Sequence, residues 1–453
     1  MVQIKVLFFL IFISLVTNSF ASKRITVIRD AEIEFFLLKL IKNITDDSLK
    51  KNKLFYPRLI LNDDYNAFVT GSNIIYVNTG LIQKSKSLSE IQGVLAHEIG
   101  HLVLNHHSSR LINANNLSHY SKFATIAGAV LSIGKKIDSN TAVGLILGGQ
   151  DLSTKSYLQF SRIQEQQADK FALDIMRKKK IPYIGLERLL INLSNDERTS
   201  NNSLSKYYRS HPFSKVRLEQ LKKFKSKMDS SFEEKHYVLI KDNKITLKYI
   251  KNKIYAFNSD PFETLKKKDN NNNFLSNYSK IIAYKRIGKF DLAIKNLKKL
   301  ESKFKNYPFY HELLGDIYFE KGEFNKAIKN YEKAILTIDD KFNGSDNIIK
   351  LSLVQSYLKT NKIFNINKSI NILEKIIHYN PKWSYLWRLL AKASGKINKK
   401  GISFIALAEE SMIKKNFIKA KKYVDLAIKY STIPNSYRLR GRDILNRIKK
   451  IND

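Results

Sequence analysis

Apolar residues recur at helical spacing over most of the chain, whereas short β-rich runs are confined to its first part. Residues 88–104 carry apolar side chains every three or four positions, which predicts a largely buried helix. Residues 161–176 show the same spacing. Residues 66–80 instead form two short β-rich runs around a Thr-Gly-Ser-Asn turn, followed by a helix that begins near Leu81. This pattern predicts a mostly α protein with a small β-sheet in its first domain.

A repeat runs through the carboxyl-terminal part of the chain. Tyr284, Gly288 and Ala293 are each followed 34 positions later by the same residue type, and 34 residues is the tetratricopeptide period. A looser unit spans about 350–381. Stacked helix pairs of this kind form a curved surface that usually binds proteins or peptides. We therefore expect an all-α tetratricopeptide solenoid after the first domain. The expected segments are a first domain over 22–227, a connector over 228–273 and the solenoid over 274–453.

The pattern of the first 21 residues is typical of a signal peptide and predicts an exported protein. Lys5 precedes the apolar run Val6–Val16, and Ser19-Phe20-Ala21 has the small-x-small pattern of a signal-peptidase site. The run is too short to cross a bilayer comfortably. We expect a signal peptide over 1–21 and a mature protein that begins near Ser22, and an uncleaved anchor is the alternative.

Composition narrows the partners that this chain can have. The chain has 453 residues, a formal net charge of +38 and no cysteine. Disulfides, cysteine metal ligands and a lipid-modified cysteine are therefore excluded. The lysines are spread among many asparagines without a nucleic-acid motif, so we expect no nucleic acid and attribute the charge to coding bias. Lysines clustered on one face would instead favour an envelope-binding or nucleic-acid-binding protein. Contact with an anionic membrane surface stays open, because each clustered lysine can add about 1 kcal/mol.

Two further apolar stretches, 123–134 and 141–149, are candidates for membrane contact. Each has only about half of the roughly 20 residues that a spanning helix needs. We expect both to form helices packed over the candidate site at residues 97–101, where they would restrict access as a lid.

The pentapeptide His97-Glu-Ile-Gly-His101 is the strongest chemical signal in the chain. Two histidines four residues apart on a helix share one face and can hold a zinc ion, and Glu98 between them can act as general base. The alternative is a core helix with two incidental histidines. A third ligand decides between the two, because a hydrolytic zinc site uses three protein ligands and leaves one position open for water.

Two parts of the sequence offer a third ligand. His107 has the spacing of the extended metzincin pattern, but that pattern needs a glycine where this chain has Leu104. We expect Leu104 to continue the helix, and His106 and His107 to be surface residues. Glu165 is the better candidate. Asp169, one helical turn later, shares its face and can accept the outward N–H of a ligating histidine. An exposed charged helix face is the alternative.

The order of these motifs resembles the gluzincin metallopeptidases related to HtpX, in particular the BepA-like periplasmic proteases that carry a tetratricopeptide domain. The motifs are His97-Glu-Ile-Gly-His101, Ser161-Arg162 followed by Glu165 and Ala168-Asp169, and His211-Pro212 followed by Arg217. The resemblance implies an α+β gluzincin-type metallopeptidase fold followed by an all-α tetratricopeptide solenoid. It also implies one Zn²⁺ per chain, bound by His97, His101 and Glu165, with Glu98 as the catalytic base.

The resemblance assigns roles to residues around these ligands. His211 would lie near the metal, and in BepA-like members the matching histidine can occupy the position of the water and hold the enzyme latent. Arg162, Asp169 and Arg217 would support the ligands. For His211 and Arg217, ordinary structural hydrogen bonds are an equally good interpretation.

The resemblance also suggests where a substrate binds. Asn66, Ala67 and Phe68 match a strand at the sheet edge along which a substrate peptide lies extended. An ordinary half-buried strand is the alternative.

These observations lead to one main hypothesis, a zinc-dependent endopeptidase of the periplasm. Its substrates would be unfolded or misassembled envelope proteins, and the tetratricopeptide repeats would bind clients or the outer-membrane barrel-assembly machinery. The alternative is a periplasmic chaperone or adaptor with a latent or structural metal site.

Overall fold

A computed structural model describes most of both halves of the chain. The described residues are 26–45, 55–70, 73–106, 162–199, 215–225, 232–267, 274–304, 306–338, 346–430 and 433–452. The expected signal peptide, His107, His211 and the apolar stretches 123–134 and 141–149 lie outside the described residues. Among the helices that are described, none combines the length and the apolar character needed to cross a bilayer.

The first domain is built on a four-stranded mixed sheet. Its strands are β1 (Val27–Ile28), β2 (Tyr56–Ile60), β3 (Ala67–Val69) and β4 (Ile74–Asn78). The spatial order is β1-β2-β4-β3. Strands β2 and β4 are parallel, whereas β1 and β3 each pair antiparallel with their neighbour. Strand β3 therefore lies at one edge of the sheet as described.

Six helices complete the described part of this domain. They are α1 (Ala31–Ile44), α2 (Thr79–Lys84), α3 (Leu88–Val103), α4 (162–178), α5 (Ile184–Thr199) and α6 (Lys215–Lys225). Helix α3 is the central one, because every residue from Leu88 to Leu102 is buried. Its first turn is capped by Ser87, whose hydroxyl oxygen accepts from the Glu90 N–H. The helix packs against α1, α5 and the sheet, which together cover it on several sides.

A hairpin and two helices follow the first domain. They are β5 (Tyr237–Ile240), β6 (Asn243–Thr246), α7 (Leu247–Asn258) and α8 (Pro261–Lys266). The inward side chains of the hairpin, including Val238 and Ile245, join the hydrophobic core of the first domain. Helix α7 also contacts α2, since the Gln83 amide donates to the Lys251 carbonyl oxygen over 2.8 Å.

Ten helices are described in the repeat region, and they stack in sequence order. They are α9 (Phe274–Arg286), α10 (Phe290–Lys299), α11 (Pro308–Glu320), α12 (Phe324–Thr337), α13 (Asn347–Thr360), α14 (Ile363–Tyr379), α15 (Ser384–Lys396), α16 (Lys400–Ile413), α17 (Phe417–Ile428) and α18 (Asn435–Asn452). Gly288 and Gly322 make the turns of the first two pairs with φ of +75° and +85°, which glycine adopts without steric cost. A methyl group on Gly315 would meet the Tyr331 ring at 2.8 Å, so the second pair interlocks closely. The prediction of a mostly α chain with a small sheet and a helical-repeat region is confirmed.

A buried ion-pair cluster joins the first domain to the repeats. Glu32 in α1 is fully buried, and Lys253 Nζ in α7 lies 2.6 Å from its carboxylate. Lys253 Nζ also lies 2.9 Å from Asp30. Tyr307 and Tyr278, both from the repeat region, donate their hydroxyl protons to Glu32. The first domain, α7 and the first repeats therefore share one continuous core.

Candidate metal centre

Helices α3 and α4 bring three ligand side chains to one point. His97 Nε2 and His101 Nε2 are 3.1 Å apart. Glu165 lies across from them, with its carboxylate oxygens 3.2 Å from His97 Nε2 and 3.4 Å from His101 Nε2. The three side chains are buried, and one donor atom from each lies within 4.8 Å of the other two. Two imidazoles and a carboxylate that converge in this way are suited to a zinc-like cation.

The outer nitrogen of His97 has a carboxylate partner. His97 Nδ1 lies 2.9 Å from Asp169, one turn after Glu165 on α4. Asp169 in turn accepts two hydrogen bonds from Arg217, over 2.6 Å and 2.9 Å. A third Arg217 nitrogen lies 3.4 Å from Glu165. Arg217 is itself only 1% exposed, so this chain of charges is closed off from water.

The electrostatics of the cluster favour a positive charge between the ligands. Burial lowers the pKa of His97, but hydrogen bonds and charge from Asp169 and Glu165 outweigh burial and raise that pKa to about 9. Burial would raise the pKa of Asp169, but Arg217 outweighs it and holds the pKa below its ordinary value. The carboxylates thus attract a cation to the imidazole nitrogens, which fits the donor set of a metal site.

Glu98 lies on α3 in the turn between the two histidines and is fully buried. Its neighbour Gly100 allows α3 and α4 to approach closely. A methyl group there would meet the backbone of Ala168 at 3.2 Å and the Phe171 ring at 3.1 Å. The spacing between the helix that bears the histidines and the helix that bears Glu165 therefore depends on a glycine.

His106 is not a surface residue, and the expectation that Leu104 continues the helix is wrong. Helix α3 ends at Val103, and Asn105 adopts a left-handed conformation with φ of +55°. The chain consequently turns back, and His106 is 3% exposed with its Nδ1 only 2.9 Å from His101 Nδ1. An asparagine that follows an apolar helical run is a recognised helix-stop signal, and it was the sequence clue to this turn.

The remaining predicted residues fall in different places. Arg162 is exposed at the first residue of α4, and its supporting role stays a prediction. Asn66 is buried, and its carbonyl oxygen accepts from the Asn78 N–H over 3.0 Å. Ala67 and Phe68 form the start of edge strand β3, which contacts α3. The Phe68 ring stacks on Tyr76 at 5.1 Å.

Comparison with known proteins agrees with this geometry. Residues 28–225 match the model of peptidase family M48, and residues 310–337 match a tetratricopeptide repeat model. Residues 28–225, which make up less than half of the chain, are therefore similar to peptidase family M48. The beta-barrel assembly-enhancing protease of Escherichia coli (strain K12) is 23% identical over 356 residues, which cover 78% of this chain and 70% of that protein.

Two other relatives are matched by this chain over a similar share of their own length. A putative beta-barrel assembly-enhancing protease of Vibrio cholerae is 22% identical over 81% of this chain and 73% of that protein. Metalloprotease LoiP of Escherichia coli (strain K12) is 26% identical over 41% of this chain and 68% of that protein. The recognition of a BepA-like metalloprotease with tetratricopeptide repeats is confirmed, and so is the prediction of a metalloendopeptidase. The family implies a divalent metal and protein substrates.

Proposed function

We propose that this chain is a zinc-dependent endopeptidase of the periplasm that cleaves misfolded or stalled envelope proteins. The observation that carries the proposal is the convergence of His97, His101 and Glu165 in a buried cluster, with Glu98 buried in the turn between the two histidines. We propose 22–227 as the peptidase domain, 228–273 as the connector and 274–453 as the repeat domain.

The donor set supports zinc as the metal. Two neutral imidazoles and one carboxylate suit zinc better than calcium or magnesium, which prefer oxygen ligands alone. When bound, zinc supplies a Lewis acid and makes a bound water easier to deprotonate. Glu98 would accept that proton and later return it to the leaving amine. Asp169 would hold His97 with its Nδ1 protonated, and Arg217 would keep Asp169 ionised.

The edge of the sheet offers a place for the substrate. Within the part of the chain described, β3 pairs with β4 alone, and an extended peptide could form main-chain hydrogen bonds with its other edge. We propose that a substrate strand lies along Asn66, Ala67 and Phe68, next to the helix that bears the metal ligands. Main-chain pairing of this kind selects for unfolded segments rather than for a particular side chain.

The relatives support the cellular role. Several of them are named beta-barrel assembly-enhancing proteases, and we propose that this chain acts in the same process in the periplasm, after export by its amino-terminal segment. The tetratricopeptide repeats would bind client proteins or the outer-membrane barrel-assembly machinery. His211, by resemblance, would act in catalysis and would restrain the site when it occupies the position of the water.

The proposal is tested by metal content and casein cleavage of the full-length mature chain. We expect about one zinc per chain and cleavage that is lost in Glu98→Gln. Glu219→Gln, on the exposed face of α6, is the matched control and should cleave as the wild type does. Cleavage that increases in His211→Ala would support restraint by His211. Zinc binding without cleavage by any variant would favour the chaperone or adaptor alternative, and full activity of Glu98→Gln would refute the catalytic assignment.

A further inference from the structure

We propose that His106 is a positioning residue that orients His101 and sets its tautomer for metal binding. The inference rests on the proposed metal-binding function of His97, His101 and Glu165. It adds a residue that neither the pentapeptide motif nor the three-ligand cluster contains.

The contact between the two rings is specific. His106 Nδ1 lies 2.9 Å from His101 Nδ1, with the ring planes inclined by 72° and the centroids 5.0 Å apart. Nδ1 is the nitrogen of His101 that does not face Glu165, since the contact with Glu165 is made by Nε2. The contact of His106 is therefore with the outer nitrogen of His101, on the side away from Glu165, and this contact is the route by which we propose that it acts on the metal.

The proton positions along this chain of contacts follow from elementary hydrogen-bond chemistry. Two ring nitrogens can bond only when one carries a proton and the other offers a lone pair. A His101 that binds metal through Nε2 is neutral and carries its proton on Nδ1, so it donates to His106 Nδ1. His106 must then carry its own proton on Nε2. That atom lies 3.1 Å from Gln167 Oε1, an oxygen that can only accept.

Helix α4 also fixes the backbone of His106. The Gln164 side-chain amide donates to the His106 carbonyl oxygen over 3.2 Å, and the left-handed residue Asn105 directs the chain towards α4. Gln164 and Gln167 flank Glu165 on the same helix. The helix that supplies the third ligand thus holds both ends of the residue that orients the second ligand.

The two histidine ligands consequently have different outer partners. His97 donates to Asp169, a carboxylate whose charge Arg217 offsets, whereas His101 donates to a neutral imidazole. Loss of an outer partner of a metal ligand typically weakens metal affinity by about 10-fold to 100-fold. Because the acceptor is neutral, another neutral acceptor at the same position should serve nearly as well.

The test compares two nearly isosteric substitutions in the full-length mature chain. Asn in His106→Asn offers an oxygen where the imidazole has Nδ1, and Leu in His106→Leu offers none. Zinc affinity is measured by competition with a chromophoric chelator, and folding is checked by circular dichroism. We expect His106→Leu to bind zinc about 10-fold to 100-fold more weakly than wild type. His106→Asn should remain within about threefold, and His311→Leu, at a buried histidine in α11, should match wild type.

A spectroscopic measurement tests the proton positions directly. In ¹⁵N NMR of the zinc-loaded protein, His106 should show a protonated Nε2 and an unprotonated Nδ1 that accepts from His101. Equal zinc affinity in His106→Leu and wild type, equal losses in the Leu and Asn variants, or a proton on His106 Nδ1 would each overturn the inference. If zinc affinities follow the predicted pattern but no variant cleaves peptides, the positioning role of His106 is supported. Only the proteolytic proposal is then contradicted. A wild-type chain that binds no zinc would overturn both.

Discussion

Lys253→Met should destabilise the junction between the first domain and the repeats. Lys253 is 5% exposed, and its ammonium group contacts Asp30 and the fully buried Glu32. Burial alone would lower the pKa of Lys253, but Asp30 and Glu32 outweigh it and raise that pKa well above its ordinary value. The lysine is therefore charged, and its loss leaves buried negative charge without a cation. Methionine keeps most of the apolar stem, so the effect of the substitution is mainly electrostatic.

The loss of unfolding free energy in Lys253→Met has an upper limit, because a buried carboxyl group that has lost its lysine can take up a proton instead. An ordinary glutamate has a pKa of about 4.3, and each pH unit corresponds to about 1.36 kcal/mol, so keeping one carboxyl protonated at pH 7 costs about 3.7 kcal/mol. We expect Lys253→Met to lose about 3–4 kcal/mol of unfolding free energy at pH 7 and about 1 kcal/mol at pH 5. This agrees with the 3–5 kcal/mol that is typical when one partner of a buried ion pair is removed.

Urea unfolding followed by circular dichroism measures this loss. Lys326→Met is the matched control, because Lys326 pairs with Glu323 at the surface and its loss should leave the unfolding free energy nearly unchanged. The double variant Glu32→Gln/Lys253→Met should recover most of the stability, since it removes the fully buried carboxylate and leaves only the half-buried Asp30 without its lysine. A Lys253→Met penalty below about 1 kcal/mol at pH 7, or one that does not change with pH, would refute this reasoning.

Three further predictions concern the metal centre and the repeats. Arg217→Met should cost about 3–5 kcal/mol in urea unfolding because it strands the buried Asp169, whereas the exposed Arg177→Met should cost less than about 1 kcal/mol. Gly100→Ala should weaken zinc binding in a chelator competition, since the added methyl pushes α4 away from α3; unchanged affinity would contradict this. Burial, followed by the charge of Lys333, lowers the pKa of His311 to about 4 from 6.5. The unfolded chain therefore binds a proton that the folded chain does not, and stability should fall as pH drops from about 6.5 to 4, less steeply in His311→Gln.

Much of the candidate site was predictable because its key residues are close in sequence. His97 and His101 are four residues apart on one helix, so their spacing alone places both imidazoles on one face. Glu165 and Asp169 repeat that relationship on α4. The helical-repeat region was predictable for a similar reason, because each helix pair packs mainly on its immediate neighbours and its period is visible in the sequence.

Only the tertiary structure decided contacts that depend on chain direction or on distant segments. One left-handed residue, Asn105, ended α3 and turned His106 inwards, which a continuous helical period cannot show. Arg217 was expected near the ligands by resemblance, but its two hydrogen bonds to Asp169 span 48 residues and follow from how α6 packs on α4.

At the junction between the first domain and the repeats, some features were likewise determined by the sequence and others only by the tertiary structure. The sequence by itself determined two amphipathic regions and a polar segment between them, because local periodicity records which face of an element is buried. It did not determine that Glu32, Lys253 and Tyr307 meet in one buried cluster, or that β2 and β4 are parallel neighbours. Those arrangements depend on the simultaneous packing of elements up to 275 residues apart, and no local pattern encodes such a packing.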